Sequence, residues 1–569
     1  MTKGLVTLVN PNQVHPPITP YALDILTTVL EFGGFRAEVL DLCWHRDDWR
    51  SVLLEYFATH RPLLVGVTVR NTDTIYPQEQ RVFLEQHRAV LRQIADQCAA
   101  PIVAGGVGFS SMPYALVEYF DIPYGVKGPG EHHILELAGA LAEDRAPRAA
   151  PGLIVNAGHP LGRSARGTAG PPVQNPAPAD TAYLRRSGVP GKVDNLAYYR
   201  NGGLGNILTK NGCPFACTHC MEPDAKGSRF TRRTVTAVVD EMELLTASGV
   251  YDLHTTDSEF NLLISHTKAV LTEVIRRKHI DPGSPLHRMR LWIYAQPAPF
   301  DAELMELLAG AGCAGINLAP DHVRDELLDG WKVTARGTRF YTADDIGTVC
   351  ALARAHGIPV MAEVLLAMPG ETAATLADIV RRSLDWDAAV VGYTLGIRVF
   401  PYSPLGIRLA AECAGRATVP GLQSNTALEP IVLTPRAGCP DAAAYERQFL
   451  FDGHGRIRPV YYFSPELPED PGTLRAPDGR WTRTLRLLRS LVPETEQHRV
   501  MLPTEPGSGA EDNNYADNPF LLQLTRLHYA GAYWSYWPQR ERIMREARAG
   551  EQRQAVLPGK ATGDAGAPL

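Results

Sequence analysis

Apolar runs alternate with amphipathic stretches through residues 1–140. The runs have the length of buried strands, and the stretches between them repeat apolar positions with the period of a helix. This alternation predicts an α/β domain in which helices cover both faces of a parallel sheet, a doubly wound fold. Such domains bind ligands at the carboxyl ends of their strands. The five runs are GLVTLVN, AEVLDL, LLVGVTV, PIVAGG and YGVKG.

A second alternating unit covers residues 201–410. Six strand candidates are separated there by helical stretches. Residues 141–200 are rich in Pro, Ala, Gly and Arg, which predicts a linker over the surface. Residues 411–569 have weaker periodicity and predict a mixed C-terminal domain. The strand candidates are GNILTKN, YDLHTTD, RLWIYAQ, AGINLAP, IPVMAEVLLAMPGE and YTLGIRVFP.

The composition excludes several classes of protein. The chain has 569 residues, 45% of them hydrophobic, and a net charge of −6, so it can bury two or three cores. It has neither a long apolar run nor a signal peptide, so we expect a cytoplasmic protein without a membrane segment. The absence of a basic stripe argues against a nucleic-acid partner. The nine cysteines do not form a disulfide framework in that compartment.

Three cysteines are clustered in the stretch NGCPFACTHCMEP, at Cys213, Cys217 and Cys220. A structural zinc site needs four enclosing ligands, and a ferredoxin-type cluster needs a fourth cysteine nearby. Three thiolates instead leave one iron of a [4Fe-4S] cluster open to an outside ligand. A zinc or redox loop is the alternative, and His219 is a weaker candidate for a fourth ligand.

This motif, placed after a strand that opens a repeated unit, resembles the radical S-adenosylmethionine (SAM) enzymes, in which SAM binds the fourth iron. The resemblance implies a partial (β/α)6 barrel over residues 201–410. It assigns Glu259 in TTDSEFN to the SAM amino group, although this segment departs from the usual Gly-Gly-Glu. Three further segments, GINLAP, EVLLAMPGET and GIRVFPYSPLG, match later strand ends and imply cofactor binding by Asn317, Glu363 and Arg398. An ion pair between Glu363 and Arg398 is the alternative.

The N-terminal domain is similar to the cobalamin-binding domains found in part of this superfamily. The segments IVAGGVGFSSMP and GVKGPGEHHILEL imply that cobalamin contacts the residues Gly105, Gly106, Ser110, Gly128 and Glu131. The Asp-x-His-x-x-Gly motif that supplies a lower ligand to cobalt in methionine-synthase-like proteins is absent.

The segment VRNTD places Arg70 and Asn71 at a strand end that faces the same crevice. An arginine cannot coordinate a metal, because it stays protonated and has no acceptor. We therefore expect Arg70 to keep the lower face of cobalt free of strong donors. The alternative is an arginine that binds a cofactor amide or a surface carboxylate.

The resemblance implies a methyltransferase in which cobalamin takes a methyl group from SAM and methylcobalamin passes it to an acceptor. Length, the single cysteine motif and the aromatic C-terminal segment are similar to family members that methylate C2 of L-tryptophan in antibiotic biosynthesis, without a radical step. An external electron donor is implied. Tyr294, on the third barrel strand, is expected to line the substrate pocket. The C-terminal aromatics Tyr529, Tyr533, Trp534, Tyr536 and Trp537 suit either an aromatic substrate or packing against the barrel.

Other outcomes share these motifs. Methylation of an sp3 carbon or of phosphorus, ring contraction and cyclisation remain open, since only the substrate and product separate them. A cobalamin or iron–sulfur protein that acts as a sensor or electron carrier would not need a complete SAM-binding barrel. A methylthiotransferase is disfavoured because no second cysteine triad precedes the barrel.

Overall fold

The computed structural model describes residues 2–75, 81–164, 192–414, 419–423, 431–467, 478–503 and 519–556. Within these ranges no helix has both the length and the apolar composition that crossing a bilayer requires. The elements of the first domain are β1 (Leu5–Asn10), α1 (Tyr21–Phe32), β2 (Arg36–Asp41), α2 (Trp49–Thr59), β3 (Leu64–Thr68), α3 (Leu84–Gln97), β4 (Ile102–Gly105), α4 (Val107–Ser111), α5 (Pro113–Phe120), β5 (Tyr124–Val126), α6 (Glu131–Ala142) and β6 (Leu153–Val155).

The first sheet confirms the doubly wound fold. Its strand order is β2-β1-β3-β4-β5-β6, and β1 to β5 are parallel. Because the order reverses between β1 and β3, a crevice opens at the carboxyl ends of these strands. The edge strand β6 is antiparallel to β5 and lies in the segment for which the sequence predicted a linker.

The second domain contains α7 (Asn195–Arg200), β7 (Gly205–Ile207), β8 (Lys210–Asn211), α8 (Glu222–Lys226), β9 (Thr231–Arg232), α9 (Val235–Ala247), β10 (Asp252–Thr255), α10 (Ile264–Ile280), β11 (Arg290–Ala295), α11 (Ala302–Ala311), β12 (Cys313–Asp321), α12 (Asp325–Trp331), α13 (Ala343–Ala355), β13 (Val360–Leu366), α14 (Ala373–Leu384) and β14 (Val390–Leu395). The side chains of Thr234, Asp301, Thr342 and Thr372 cap the helices that follow the strands.

The remaining elements are β15 (Ile397–Arg398), α15 (Pro404–Cys413), β16 (Leu422–Gln423), α16 (Ala442–Arg447), β17 (Tyr461–Tyr462), α17 (Asp478–Leu491), β18 (Val500–Met501), α18 (Pro519–Arg526) and α19 (Arg540–Val556). The barrel sheet runs β18-β14-β13-β12-β11-β10-β7, with all neighbours parallel. The six predicted strand and helix repeats are therefore confirmed, and β18 adds a seventh strand that the sequence analysis did not predict.

The segment after the barrel packs on the first domain. Its strands form a small antiparallel sheet in the order β15-β17-β16. Leu405 and Phe449 share one buried core with Phe109 and Leu116 of the first domain, and α16 packs against α5. The shared core fixes the first sheet relative to the barrel.

Candidate active site

The three cysteines lie on the loop between β8 and α8. This loop pairs with the segment after α12, where Ala216 N donates to Val333 O at 3.0 Å. Gly212 opens the loop with a φ of +93°, and a Cβ atom there would lie 2.0 Å from Arg229 O. Only glycine fits this approach.

The three cysteines are free, largely buried thiols. They form no disulfide, and burial raises the pKa of Cys213 to about 11 and also raises that of Cys217 and Cys220. A bound metal is therefore needed to hold them as thiolates. In the described part of the chain, no three His, Cys, Asp or Glu side chains are grouped as the ligands of a single ion. A [4Fe-4S] cluster takes one thiolate on each iron, so three cysteines on one loop can bind three of its four irons.

Glu259 follows β10 and lies beside the cysteine loop. Burial raises the pKa of Glu259 to about 8, and its negative charge raises the pKa of Cys213 and Cys217. Gln296 Nε2 donates to Glu259 Oε1 at 2.6 Å, whereas Oε2 is buried without a partner. This oxygen can accept a hydrogen bond from an ammonium group such as that of SAM, or bind iron.

Two neighbours of Glu259 already have hydrogen-bond partners within the protein. Asp257 accepts bonds from Thr209 N at 2.7 Å and from Lys210 Nζ at 2.6 Å. Ser258 Oγ donates to Glu222 Oε2 at 2.7 Å. Among Asp257, Ser258 and Glu259, Glu259 is the residue with a buried carboxylate oxygen that has no partner.

Asn317 and Glu363 meet inside the barrel. They lie on the neighbouring strands β12 and β13, and Asn317 Nδ2 donates to Glu363 Oε1 at 3.3 Å. Burial raises the pKa of Glu363, and Asn317 Oδ1 is buried without a partner. A polar group from a bound molecule such as SAM can satisfy this oxygen.

A buried lysine completes this side of the site and was missed in the sequence. Lys332 Nζ lies 3.0 Å from Asp321 Oδ2, with both side chains almost fully buried. Its positive charge lowers the pKa of Cys217 against the larger effect of burial. Asp321 has a φ of +53°, which is uncommon for a residue with a side chain. Asp321 ends a barrel strand, which is a signal for a site residue. Lys332 has no local pattern that identifies it.

The two glycine turns predicted to bind cobalamin, at Gly106 and at Gly128, are joined by hydrogen bonds to Ser110. Gly106 has a φ of +109°, and a Cβ atom there would lie 2.7 Å from Val69 O. Ser110 Oγ donates to Gly106 O at 2.8 Å and accepts from Gly128 N at 2.9 Å. Gly105 ends β4, directly before this turn, and Glu131 begins α6 after the second turn. These residues form a cradle at the carboxyl end of the sheet, as a bound nucleotide tail requires.

Arg70 and Tyr294, the two catalytic candidates, reach the same crevice. Arg70 Nη1 donates to Asn71 Oδ1 at 2.8 Å. Burial, with the charges of Lys226 and Arg70, lowers the pKa of His254 to about 4. The His254 ring packs edge-on against Tyr294, with 5.2 Å between the ring centroids. The positive charge of Arg70 therefore acts on a barrel residue that packs against Tyr294, and His254 is a neutral group that the sequence analysis missed.

The cysteine loop and the cobalamin cradle touch each other directly. Helix α8, which follows Cys220, packs against α4, which follows the Gly105–Gly106 turn. Lys127 Nζ also lies 2.5 Å from Asp224 Oδ1, which joins the second glycine turn to α8. The two cofactor-binding segments therefore face one crevice.

The ion pair between Glu363 and Arg398, weighed as an alternative, is not formed. Arg398 Nε instead lies 3.1 Å from Asp73 Oδ2 of the first domain. Arg398 Nη2 is buried without a partner, so cofactor binding by this residue stays a prediction.

His219 stacks on Trp331 with 5.4 Å between the ring centroids.

The C-terminal aromatics pack against the barrel, which is the second of the two alternatives that the sequence left open. Trp534 packs against Trp292 with 5.8 Å between centroids, and both lie in a core with Met361 and Val390. These three barrel residues are near the amino ends of their strands. The aromatic segment closes the end of the barrel opposite the cysteine loop, because an apolar barrel interior must be covered at both ends.

Comparisons with known proteins agree with this geometry. Residues 207–382 match the Radical SAM superfamily. The chain is 53% identical to tryptophan 2-C-methyltransferase from Streptomyces laurentii, over 98% of this chain and 100% of the relative. It is also similar to TsrM, a radical S-adenosylmethionine methyltransferase from Kitasatospora setae solved with cobalamin and a [4Fe-4S] cluster: 53% identity, 97% of this chain, 100% of that chain, TM-score 0.89.

A second structure of TsrM from Kitasatospora setae contains tryptophan and a SAM analogue, aza-SAM. It matches 96% of this chain and 99% of that chain, with 53% identity and a TM-score of 0.88. A match at this level over 96–98% of this chain covers the cysteine loop, the glycine turns and the barrel strands together. The chain therefore belongs to the tryptophan 2-C-methyltransferase family of the radical SAM superfamily.

Proposed function

We propose that this protein transfers a methyl group from SAM to C2 of L-tryptophan in natural-product biosynthesis, with cobalamin and a [4Fe-4S] cluster as cofactors. The observation that carries the proposal is the 53% identity over nearly the whole chain to a tryptophan 2-C-methyltransferase. The relative with tryptophan and a SAM analogue bound supports the substrate. Within this chain, the meeting of α4 and α8 supports a shared site for both cofactors.

The residues divide into two binding regions. Cys213, Cys217 and Cys220 would hold the cluster, with Glu259, Asn317 and Glu363 offering acceptors to SAM. The turns around Gly106 and Gly128 would hold cobalamin, with Ser110 joining them. When bound, cobalamin supplies a cobalt centre that carries the methyl group between SAM and the acceptor. An external electron donor would keep the cofactors reduced, and the nine free cysteines suit a reducing compartment such as the cytoplasm.

The crevice residues would position an aromatic substrate. Arg70 offers no lone pair to a metal, so at the lower face of cobalt it would withhold a ligand rather than donate one. Tyr294 presents a ring and a hydroxyl to the barrel interior, which suits the stacking of an indole. His254, kept neutral by burial, can accept a hydrogen bond. An indole is already nucleophilic, so the site needs to orient it and accept a proton rather than abstract a hydrogen atom.

Product analysis tests the proposal. The protein is reconstituted without oxygen with iron, sulfide and cobalamin, and incubated with SAM, a reductant and L-tryptophan. Mass spectrometry is expected to find tryptophan heavier by one methyl group together with S-adenosylhomocysteine, and no 5'-deoxyadenosine. 5'-Deoxyadenosine with unchanged tryptophan would contradict the substrate and favour another outcome of the same cofactors. Cofactor binding without any turnover of SAM would favour a sensor or carrier.

A further inference from the structure

The loop after β3 carries Arg70 and is tied to the glycine turn of its own domain. Val69 N donates to Gly105 O at 2.7 Å, and Gly108 N donates to Arg70 O at 2.9 Å. A Cβ atom on Gly108 would lie 2.8 Å from the backbone of Asn71. The loop and the glycine turn therefore pack as one unit, and a shift of the loop shifts Arg70.

Asp73 holds the same loop in a strained turn. Its carboxylate is fully buried, Oδ1 accepts from Ile75 N at 2.9 Å and Oδ2 accepts from Thr72 Oγ1 at 3.0 Å. Ile75 has a φ of +58°, a conformation that β-branched residues rarely adopt. Such strain persists only where the surroundings over-determine the conformation. The Asp73 carboxylate therefore maintains the shape of the loop.

Arg398 holds Asp73 from the other domain. It lies on β15, just past the last strand of the six barrel repeats, and its Nε is 3.1 Å from Asp73 Oδ2, with side chains 3% and 0% exposed. Arg398 Nη1 donates to Val399 O at 2.7 Å and to Val460 O at 3.0 Å. The guanidinium is thus anchored to its own backbone while it binds the first domain. A lysine has no planar fork and cannot reproduce both contacts.

We propose that Arg398 is a positioning residue for the cobalamin site, which acts through Asp73 to hold the loop that carries Arg70. The inference rests on the proposed cobalamin-dependent function and deepens it. Buried ion pairs contribute little net stability relative to apolar replacements, but they fix geometry. Here the ion pair of Arg398 with Asp73 joins the domain that carries Arg70 to the domain that carries the cysteines.

A matched pair of variants separates positioning from stability. Arg398→Lys is compared with Arg233→Lys, whose ion pair with Glu241 is equally buried, with side chains 2% and 0% exposed. Arg233 Nη1 also donates to a backbone carbonyl, Leu208 O, at 2.9 Å. Arg233 lies between β9 and α9, away from the first domain. Both variants keep the charge and lose the fork, so both are expected to lower the melting temperature.

Two readouts are expected to change in Arg398→Lys alone. The dissociation constant for hydroxocobalamin, from a spectroscopic titration, is expected to rise about tenfold or more, as for other residues that orient a metal site. The electron paramagnetic resonance spectrum of the cob(II)alamin-loaded protein is expected to shift, because that spectrum reports the lower face of cobalt. An Arg398→Lys protein that matches Arg233→Lys in both readouts would overturn the inference.

Asp73→Asn provides a second route should Arg398→Lys fail to fold. It is expected to reproduce the spectral change, and the double variant is expected to add little to either single variant because both act through one contact. Additive changes in the double variant would overturn the inference. If the wild-type chain binds no cobalamin, the proposed function fails and the inference fails with it, whereas normal wild-type binding with silent variants contradicts the inference alone.

Discussion

Burial raises the pKa of the thiols of Cys213, Cys217 and Cys220, so they stay protonated until they bind a metal. Lys332 partly offsets this at Cys217. The free acceptor at Glu259 Oε2 lies on the same side of the barrel. The site is therefore a set of buried side chains that is incomplete without its cofactors. A bound cluster would deprotonate the thiols, and bound SAM would supply the missing partner of Glu259.

Replacement of one cysteine tests the cluster assignment. Cys217→Ala is expected to lose most of its iron and sulfide after reconstitution, because the two remaining thiols cannot hold a cluster. Cys350→Ala, a buried cysteine of the barrel core, is the control and is expected to keep both. Iron and sulfide assays with the visible spectrum measure the difference. A Cys217→Ala protein with full iron content and SAM turnover would rule out the assignment.

Local motifs were predictable, and contacts between distant segments were not. The cysteine triad and the glycine turns are contiguous, so their spacing identified them. Lys332 and Asp73 carry no such pattern: Lys332 follows α12 and reaches Asp321, and Asp73 meets an arginine far along the chain. The contact of Arg398 with Asp73 could not be predicted, because the position of a segment at a strand end does not indicate where a long side chain points.

At the scale of elements, the six barrel repeats were predictable because each combines a buried strand with an amphipathic helix. Strands β6 and β18 were not, since three or two residues have no periodicity and gain their structure from the sheet edge they join. The C-terminal aromatics were identified as a packing group or a pocket, but sequence alone cannot tell which end of a barrel they cover.

Replacements of aromatic residues at the two ends of the barrel are expected to differ in their effects on stability and on KM. Trp534→Ala removes a side chain that is 3% exposed and is expected to destabilise the protein by about 3–5 kcal/mol without changing the KM for tryptophan. Tyr294→Ala, at the other end of the barrel, is expected to raise that KM by about tenfold. Melting temperatures and steady-state kinetics measure both. Equal KM values for Tyr294→Ala and the wild type would place the substrate elsewhere.

Glu446 on helix α16 is expected to make the stability of the protein depend on pH. Glu446 Oε2 accepts from Ala115 N at 2.8 Å, at the start of α5, and Oε1 accepts from Tyr402 at 2.7 Å. Burial raises the pKa of Glu446 from 4.5 to about 7. The folded state therefore binds this proton more tightly than the unfolded chain. Stability is expected to fall as the pH rises from about 4.5 to about 7, by roughly 3 kcal/mol at most.

Glu446→Gln stays neutral, and its amide can accept from Ala115 N while its NH2 group donates to the Tyr402 hydroxyl. This variant is expected to flatten this part of the profile. Melting temperatures between pH 4.5 and 7 for the variant and the wild type provide the measurement. Glu412→Gln, at a half-exposed position on α15, is the control and should leave the slope unchanged. Parallel slopes for the wild type and Glu446→Gln would contradict the assignment.

For the whole molecule, the sheet of the first domain and the barrel sheet are held together by contacts between the domains. The shared core of the first domain with residues 397–462 sets their separation, and the contacts of Lys127 with Asp224 and of Arg398 with Asp73 join them at the site. This arrangement lets a group bound at the cysteine loop approach a group bound at the glycine turns. The protein is expected to use this arrangement to move a methyl group from SAM onto one carbon of tryptophan.

The fate of the hydrogen on that carbon tests this methyl transfer. The reconstituted protein is supplied with SAM, a reductant and L-tryptophan deuterated at C2, and the product is analysed by mass spectrometry and NMR. The expected product gains one methyl group at C2 and loses the deuterium, with one S-adenosylhomocysteine formed per product. A loaded enzyme that consumes SAM while the deuterium stays on C2 would contradict it.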